Sequence, residues 1–185
     1  MTTWIILGLL VLIGLYVIYL YNQLVTKRQM VEEGWSGIDV QLKRRADLIP
    51  NLVETVKGYA EHERGALEEV TEMRARAANV PSGDVAGRAQ AEGMLSQALG
   101  RLFAVAEAYP DLKASANFQD LHASLDSIED ALQMARRYYN GAVRGLNVMV
   151  ESFPSNLIAS QFKFEKREYF EIEDAADRAV PKVSF

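Results

Sequence analysis

Residues 4–21 read WIILGLLVLIGLYVIYLY, eighteen positions without a charge, a proline or a strongly polar side chain. At 1.5 Å per helical residue they extend about 27 Å, close to one bilayer hydrocarbon core. Trp4 stands at one end, with Tyr16, Tyr19 and Tyr21 toward the other. Such rings prefer the membrane–water interface, so Trp4, Tyr19 and Tyr21 are expected to mark the edges of a span. A transmembrane anchor is predicted within residues 1–25.

The competing reading, a cleaved signal peptide, needs a basic start and a small-residue cleavage site. Met1-Thr2-Thr3 carries no base, and Asn22 to Thr26 offers no A-x-A pattern, so the anchor is expected to be retained. Lys27 and Arg28 follow the span at once, then Lys43, Arg44 and Arg45, while no base precedes it. The positive-inside rule then predicts a single-pass protein of the cell membrane, with its N-terminus outside and its body cytoplasmic.

Working outward, no flexible linker follows. From Val25 to Asn79 the apolar residues repeat at helical spacing. One column, seven apart each time, runs Trp35, Leu42, Ile49, Val56, Glu63, Val70 and Ala77; another runs Ile38, Arg45, Leu52, Tyr59, Ala66 and Met73. The anchor is therefore expected to continue into a helix of more than about 60 residues, with Pro50 kinking or breaking it and Gly34 and Gly37 offering bends. Val80-Pro81-Ser82-Gly83-Asp84 is a break in which Ser82 or Asp84 can cap the next helix, which runs to about Ala108. Ser115 to Phe153 gives the cleanest heptad, with Phe118, Leu125, Leu132, Tyr139, Leu146 and Phe153 in one column. Pro154 stops it, and a short helix from Asn156 to about Phe162 follows. The stripes are too wide, and the breaks too many, for a slim coiled coil paired with another subunit. The fold class expected is all-α: a transmembrane helix continuing into an antiparallel bundle of three to four helices over residues 26–163. An irregular tail, 164–185, is expected to pack its aromatic rings on that bundle.

Composition bounds the chemistry. The 185 residues hold 20 Lys+Arg and 25 Asp+Glu, a formal net charge of −5, and no Cys. No dense basic stripe exists to displace counterions, so nucleic acid is not expected as a partner. Disulfides, thiolate catalysis and Cys-based metal sites are excluded. His62 and His122 are the two imidazoles. Glu61-His62-Glu63 resembles a ligand cluster, but Tyr59 and Gln119 stand where a di-iron bundle needs Glu three residues before His, and Ala66 where H-E-x-x-H needs its second His. A solvated polar patch is the reading adopted there. No phosphate-binding or nucleophile-elbow motif occurs. Hence no enzyme activity, cofactor, metal site or small-molecule substrate is expected.

Polar residues inside the apolar columns carry the remaining expectations. Glu63 is read as emerging at the stripe's edge with its head in water. Arg45 is expected to be paired, with Glu107, Asp126, Glu129 and Asp130 as candidate acids, because an unpaired buried charge costs several kcal/mol. Asn140 and Asn147 are expected to join inter-helix hydrogen bonds, and Asn51 to meet the carbonyls that Pro50 frees. Together with Arg45 they make a structural polar layer. Gly141 and Gly145 are read as letting a neighbouring helix approach closely. Trp35, near the membrane, is the candidate oligomer contact.

The stretch Gln41-Leu42-Lys43-Arg44-Arg45-Ala46-Asp47-Leu48-Ile49-Pro50-Asn51-Leu52 resembles the hallmark segment of the LemA family. Tyr109-Pro110-Asp111-Leu112-Lys113-Ala114, Arg136-Arg137-Tyr138-Tyr139-Asn140 with Val143 and Asn147, Phe153-Pro154, Tyr169-Phe170 and Pro181-Lys182-Val183-Ser184-Phe185 follow in the family's order. The resemblance implies a membrane anchor with a long antiparallel bundle and no established enzymatic activity. It also implies association with membrane-protein quality control beside a membrane metalloprotease and, in one branch, with shaping magnetosome membranes. Two functions follow as expectations: a self-associating scaffold on membrane lipid, or an adaptor for a membrane protease or another membrane protein.

Overall fold

The computed structural model describes residues 1–60, 62–81 and 83–171. Among these the protein is all-α, with no strand. Six helices follow one another: α1 (Thr2–Lys57), α2 (Arg64–Ala78), α3 (Val85–Ala106), α4 (Pro110–Lys113), α5 (Ala116–Glu151) and α6 (Ser155–Gln161). The residues group into two compact units, one of 1–38 with 134–169 and one of 39–133 with the described tail residues Phe170 and Glu171; α1 and α5 contribute to both.

The apolar run and the periodic stretch behind it form one uninterrupted helix, as the absence of linker residues predicts. Its extent differs from the sequence reading at both critical points. Pro50 lies inside α1, which continues to Lys57, and the break falls at Gly58–Glu63 instead, so the residues up to Asn79 divide into α1 and α2. The proline passes because the bond it deletes has a substitute. A residue at 50 would donate its N–H to the carbonyl of Ala46, four residues back. Arg74 on α2 donates its Nε to that carbonyl at 2.7 Å. Asn51, expected in this role, is exposed, and its backbone carbonyl accepts the Thr55 hydroxyl at 2.8 Å.

In the unit of residues 39–133, α2 and α3 form a hairpin. Gly83, with φ +96°, turns the chain in the left-handed region that glycine reaches without steric cost. Asp84 caps α3 by accepting the Gly87 N–H at 2.8 Å, while Ser82 lies outside the described residues. Glu69 and Arg101 join the two helices through a pair of charge-assisted bonds. The core contains Leu52, Val56, Val70, Leu95, Leu102 and Leu112, each buried to 1% or less exposure. Burial of a leucine contributes about 1.5–3 kcal/mol, so these apolar columns are the main stabilising term.

In the other unit the heptad of α5 is buried at Tyr139 and Leu146, and Leu24 and Val31 of α1 are buried in the same unit. The last member of that column, Phe153, is exposed, because α5 ends at Glu151 and the chain turns into α6. Ser155 is the first residue of α6, where its hydroxyl donates to the Ser152 carbonyl at 2.9 Å. Residues 164–171 carry no helix, and Phe164 and Phe170 are buried; 172–185, with the expected closing segment Pro181 to Phe185, lie outside the described residues.

Candidate functional site

Two features stand out against ordinary burial rules, and both lie on α1. The first is the apolar run. From Trp4 to Tyr19 every side chain except the half-buried Val17 is exposed, although sixteen positions carry no charge. A soluble helix buries one stripe and wets the other, whereas a helix apolar all round and uncovered by protein is built for lipid. Of the described helices, α1 is the one long and apolar enough to cross a membrane. Protein cover begins at Leu20 and Leu24, both buried, so the last part of the predicted 1–25 anchor belongs to the folded unit. Trp4 and Tyr19 remain exposed on α1. Tyr21 packs its ring edge-on to Phe162 at 4.9 Å and Phe164 at 5.8 Å, and the Arg28 guanidinium lies 5.2 Å from the Phe164 ring.

The second is a buried charge layer. Arg45 is 2% exposed and among the largest fully buried side chains. Its guanidinium forks between Glu92 of α3, at 2.5 Å, and Glu129 of α5, at 3.0 Å. It also donates to the Ser96 hydroxyl at 2.9 Å and to the Glu92 carbonyl at 3.3 Å. Arg88 donates to the second oxygen of Glu92 at 3.1 Å and lies 3.8 Å from Asp39. Of the acids proposed for Arg45, Glu129 is reached while Glu107, Asp126 and Asp130 are not. The partner that sequence reasoning missed is Glu92. It stands next to Gly93 on the face carrying Ala89, Ala98 and Leu99, so a charged residue within a buried stripe was the available signal. A planar fork suits this geometry, since arginine holds two carboxylates at once. Sliding α1 by one residue would leave Arg45 or Glu92 buried without its partner, at a cost of several kcal/mol.

The other nominated residues fall elsewhere. Asn147 does not join two helices. Its amide holds the tail, donating to the Arg167 carbonyl and accepting the Arg167 N–H, each at 2.9 Å, because the tail backbone passes α5 with unpaired groups that no helix supplies. Asn140 is half-buried on α5. The half-buried Trp35 packs against Tyr139 with ring centroids 5.7 Å apart, a contact within its own chain. Of the glycines predicted to allow close approach, Gly145 lies against the Lys27 side chain and Gly141 has open space around it; the tightest approach is at Gly34. A Cβ on Gly34 would lie 2.9 Å from the Tyr139 Cα, whereas one on Gly141 would meet nothing within 4 Å. Tyr139 donates to the Glu168 carbonyl at 2.9 Å, and burial raises its phenol above the usual tyrosine value. Tyr138 is raised as well, chiefly by its hydrogen bond to Glu33 at 3.1 Å.

Chemistry of other kinds finds little footing. Glu63 is half-buried and accepts the Tyr109 hydroxyl at 3.1 Å; loss of water around the phenol, and then this bond, raise it above the usual tyrosine value. His62 is exposed, and Glu61 lies outside the described residues. Among the described residues no three His, Cys, Asp or Glu side chains gather as a metal ion requires. His122 pairs with Asp126 at 3.0 Å beside a cavity of about 340 Å³ and packs its ring on Phe103 at 4.6 Å.

The model of the LemA family matches residues 34–185. The chain belongs to the LemA family. The match includes Arg45, Pro50 and the acids of the charge layer, and begins beyond the apolar run. Among relatives, magnetosome protein MamQ 2 of Paramagnetospirillum magneticum is 26% identical over 184 residues, covering 86% of this chain and 68% of its own. Magnetosome protein MamQ of Magnetospirillum gryphiswaldense is 24% identical with the same coverage. Protein LemA of Metamycoplasma hominis is 24% identical over 140 residues, covering 76% of this chain and 64% of its own. None of these names denotes an enzyme.

Proposed function

We propose that this LemA-family chain is a single-pass, membrane-anchored helical scaffold that associates with further copies of itself at the bilayer surface, without catalysing a reaction. The observation that carries the reading is the exposure of α1 from Trp4 to Tyr19. That surface needs an apolar cover, which lipid and a neighbouring span can each supply. The charge layer supports a structural role, since Arg45 is paired with Glu92 and Glu129 across three packed helices. The similarity to proteins named for the magnetosome supports work at a membrane. The basic flank, Lys27 and Arg28, supports a cytoplasmic body.

Mass measurement of the full-length chain in nanodiscs tests self-association: oligomers that grow with loading are expected, and a strict monomer at every concentration overturns it. Because the chain has no Cys, Thr3→Cys and Ser36→Cys report sidedness with an impermeant thiol reagent. Labelling of position 36 from outside intact cells would reverse the orientation.

A second reading, an adaptor for a membrane protease or sensor, is favoured by one feature. An open groove of about 720 Å³ lies between the end of α1 and α2, with Val53 and Leu67 on its floor and Lys57, Arg64, Glu68 and Glu72 around it. Crosslinking in native membranes should then recover a partner at this groove. Assembly of the purified protein alone on liposomes would make the adaptor unnecessary.

A further inference from the structure

We infer that the α5–α6 turn is a second membrane contact, an interfacial wedge whose Phe153, Leu157 and Phe162 enter the headgroup–acyl boundary beside the exit of the span. The inference rests on the membrane reading of residues 4–21 and assigns a lipid-facing role to residues outside that run.

Register places the turn. Within the unit of residues 1–38 and 134–169, Gly34 lies against Tyr139, and Lys27 lies against Gly145, the position of a Cβ there being 3.6 Å from the Lys27 Cδ. Moving seven residues down α1 thus moves about six up α5, the relation of two antiparallel helices. One further step of that size brings Leu20 and Tyr21 level with Glu151 and Ser152. That is where α5 stops. Another turn of α5 would run alongside Tyr19 and Ile18, inside the stretch that lipid covers. The contacts of Tyr21 with Phe162 and Phe164 fix the end of α6 at the same level independently.

At this level the surface is apolar where water would demand polarity. Phe153 is 79% exposed, Leu157 58% and Phe162 51%. Three large apolar side chains left exposed within ten residues mark an interaction surface, and a short segment with exposed Phe and Leu followed by bases suits the bilayer interface. Lys163, Lys166 and Arg167 follow directly, all exposed, with Lys166 held by Glu151 at 2.7 Å. The occupant is lipid because the patch continues the surface of the span: Phe162 touches the last ring of the apolar run.

Single-tryptophan variants of the full-length chain in nanodiscs of phosphatidylcholine and phosphatidylglycerol test it. The first keeps Trp4 alone, with Trp35→Phe. The others carry Leu157→Trp or Phe162→Trp with Trp4→Phe and Trp35→Phe; Leu157 is exposed, and a tryptophan at 162 keeps an aromatic ring against Tyr21. Lipids brominated near the glycerol and at the chain end report depth, and acrylamide reports water. Quenching of the introduced tryptophans by shallow bromines, to the same extent as Trp4, is expected, with protection from acrylamide. If Trp4 is quenched while 157 and 162 respond only to acrylamide, the wedge is refuted and the span stands. If 157 and 162 escape both quenchers as protein concentration rises, a second copy covers the patch and the wedge is again refuted. Absence of bromine quenching at Trp4 would remove the span, and the wedge with it.

Discussion

The two units reach closure by different means. The unit of residues 39–133 buries leucines and valines around one fully enclosed arginine, with Glu92 and Glu129 as its partners. The unit of residues 1–38 and 134–169 relies on a glycine that lets two backbones meet and on rings that cover the seam: Gly34 under Tyr139, Trp35 on Tyr139, Tyr21 between Phe162 and Phe164. The first is specified by charge, so its failures should be energetic and local to one layer. The second is specified by shape, so it should fail when a single methyl is added. In the second unit close backbone approach, and not a buried charge pair, sets which residues face each other.

The sharpest break is Arg45→Met, which leaves Glu92 and Glu129 facing an apolar stem. A loss of about 3–5 kcal/mol is expected by denaturant unfolding, with part of it recovered when Glu92→Met removes the stranded carboxylate as well. An unchanged unfolding midpoint in Arg45→Met would show that the layer is solvated.

Next comes the other unit. Gly34→Ala should cost about 1–3 kcal/mol, because the obstructing atom is backbone and cannot rotate away. Gly37→Ala, with open space around its Cβ, should stabilise the same helix by up to about 1 kcal/mol. Hydrogen exchange of the α5 amides from 134 to 151 reads both, and equal behaviour of the two variants would remove the argument from shape.

Arg74→Met should cost about 1.5–3 kcal/mol, the range for a hydrogen bond to a charged group. The cost should shrink in a Pro50→Ala background, where the Ala46 carbonyl regains a helical donor. A double-mutant cycle with no coupling between Pro50 and Arg74 would disconnect them.

The smallest effect is alkaline. Tyr139 and Tyr138 ionise above the usual value in the folded chain, so the fold prefers the neutral phenols. Stability from this source is complete below about pH 10, where unfolded tyrosine titrates, and falls as pH rises through the folded values. Phenolate absorbance followed together with helicity should show Tyr139 ionising only as the helices around it open, and Tyr139→Phe should remove most of that dependence.

Much of this was legible in the chain. An apolar run of eighteen residues, helical periodicity at both a/d-type columns, and proline breaks near 81 and 110 are local properties, and they placed the apolar run, α3, α5 and most of the core, but not the break at Gly58–Glu63. That Arg45 is paired was legible, since its column is otherwise apolar; that it is buried came only from the packed helices. Its main partner was not legible. Glu92 is distant in sequence, and four other acids had equal claim by spacing. The same holds for Pro50. Local rules demand an interruption there, and only a donor arriving from α2 removes the demand.

What the sequence by itself determined is which surfaces must leave water and where helices can run, because hydrophobicity and backbone preference act residue by residue. What only the tertiary structure decided is which groups meet: Arg45 with Glu92, the Ala46 carbonyl with Arg74, Gly34 with Tyr139, and Phe162 with Tyr21. Those pairings depend on the register between helices, a property of the packed helices together that no single segment encodes.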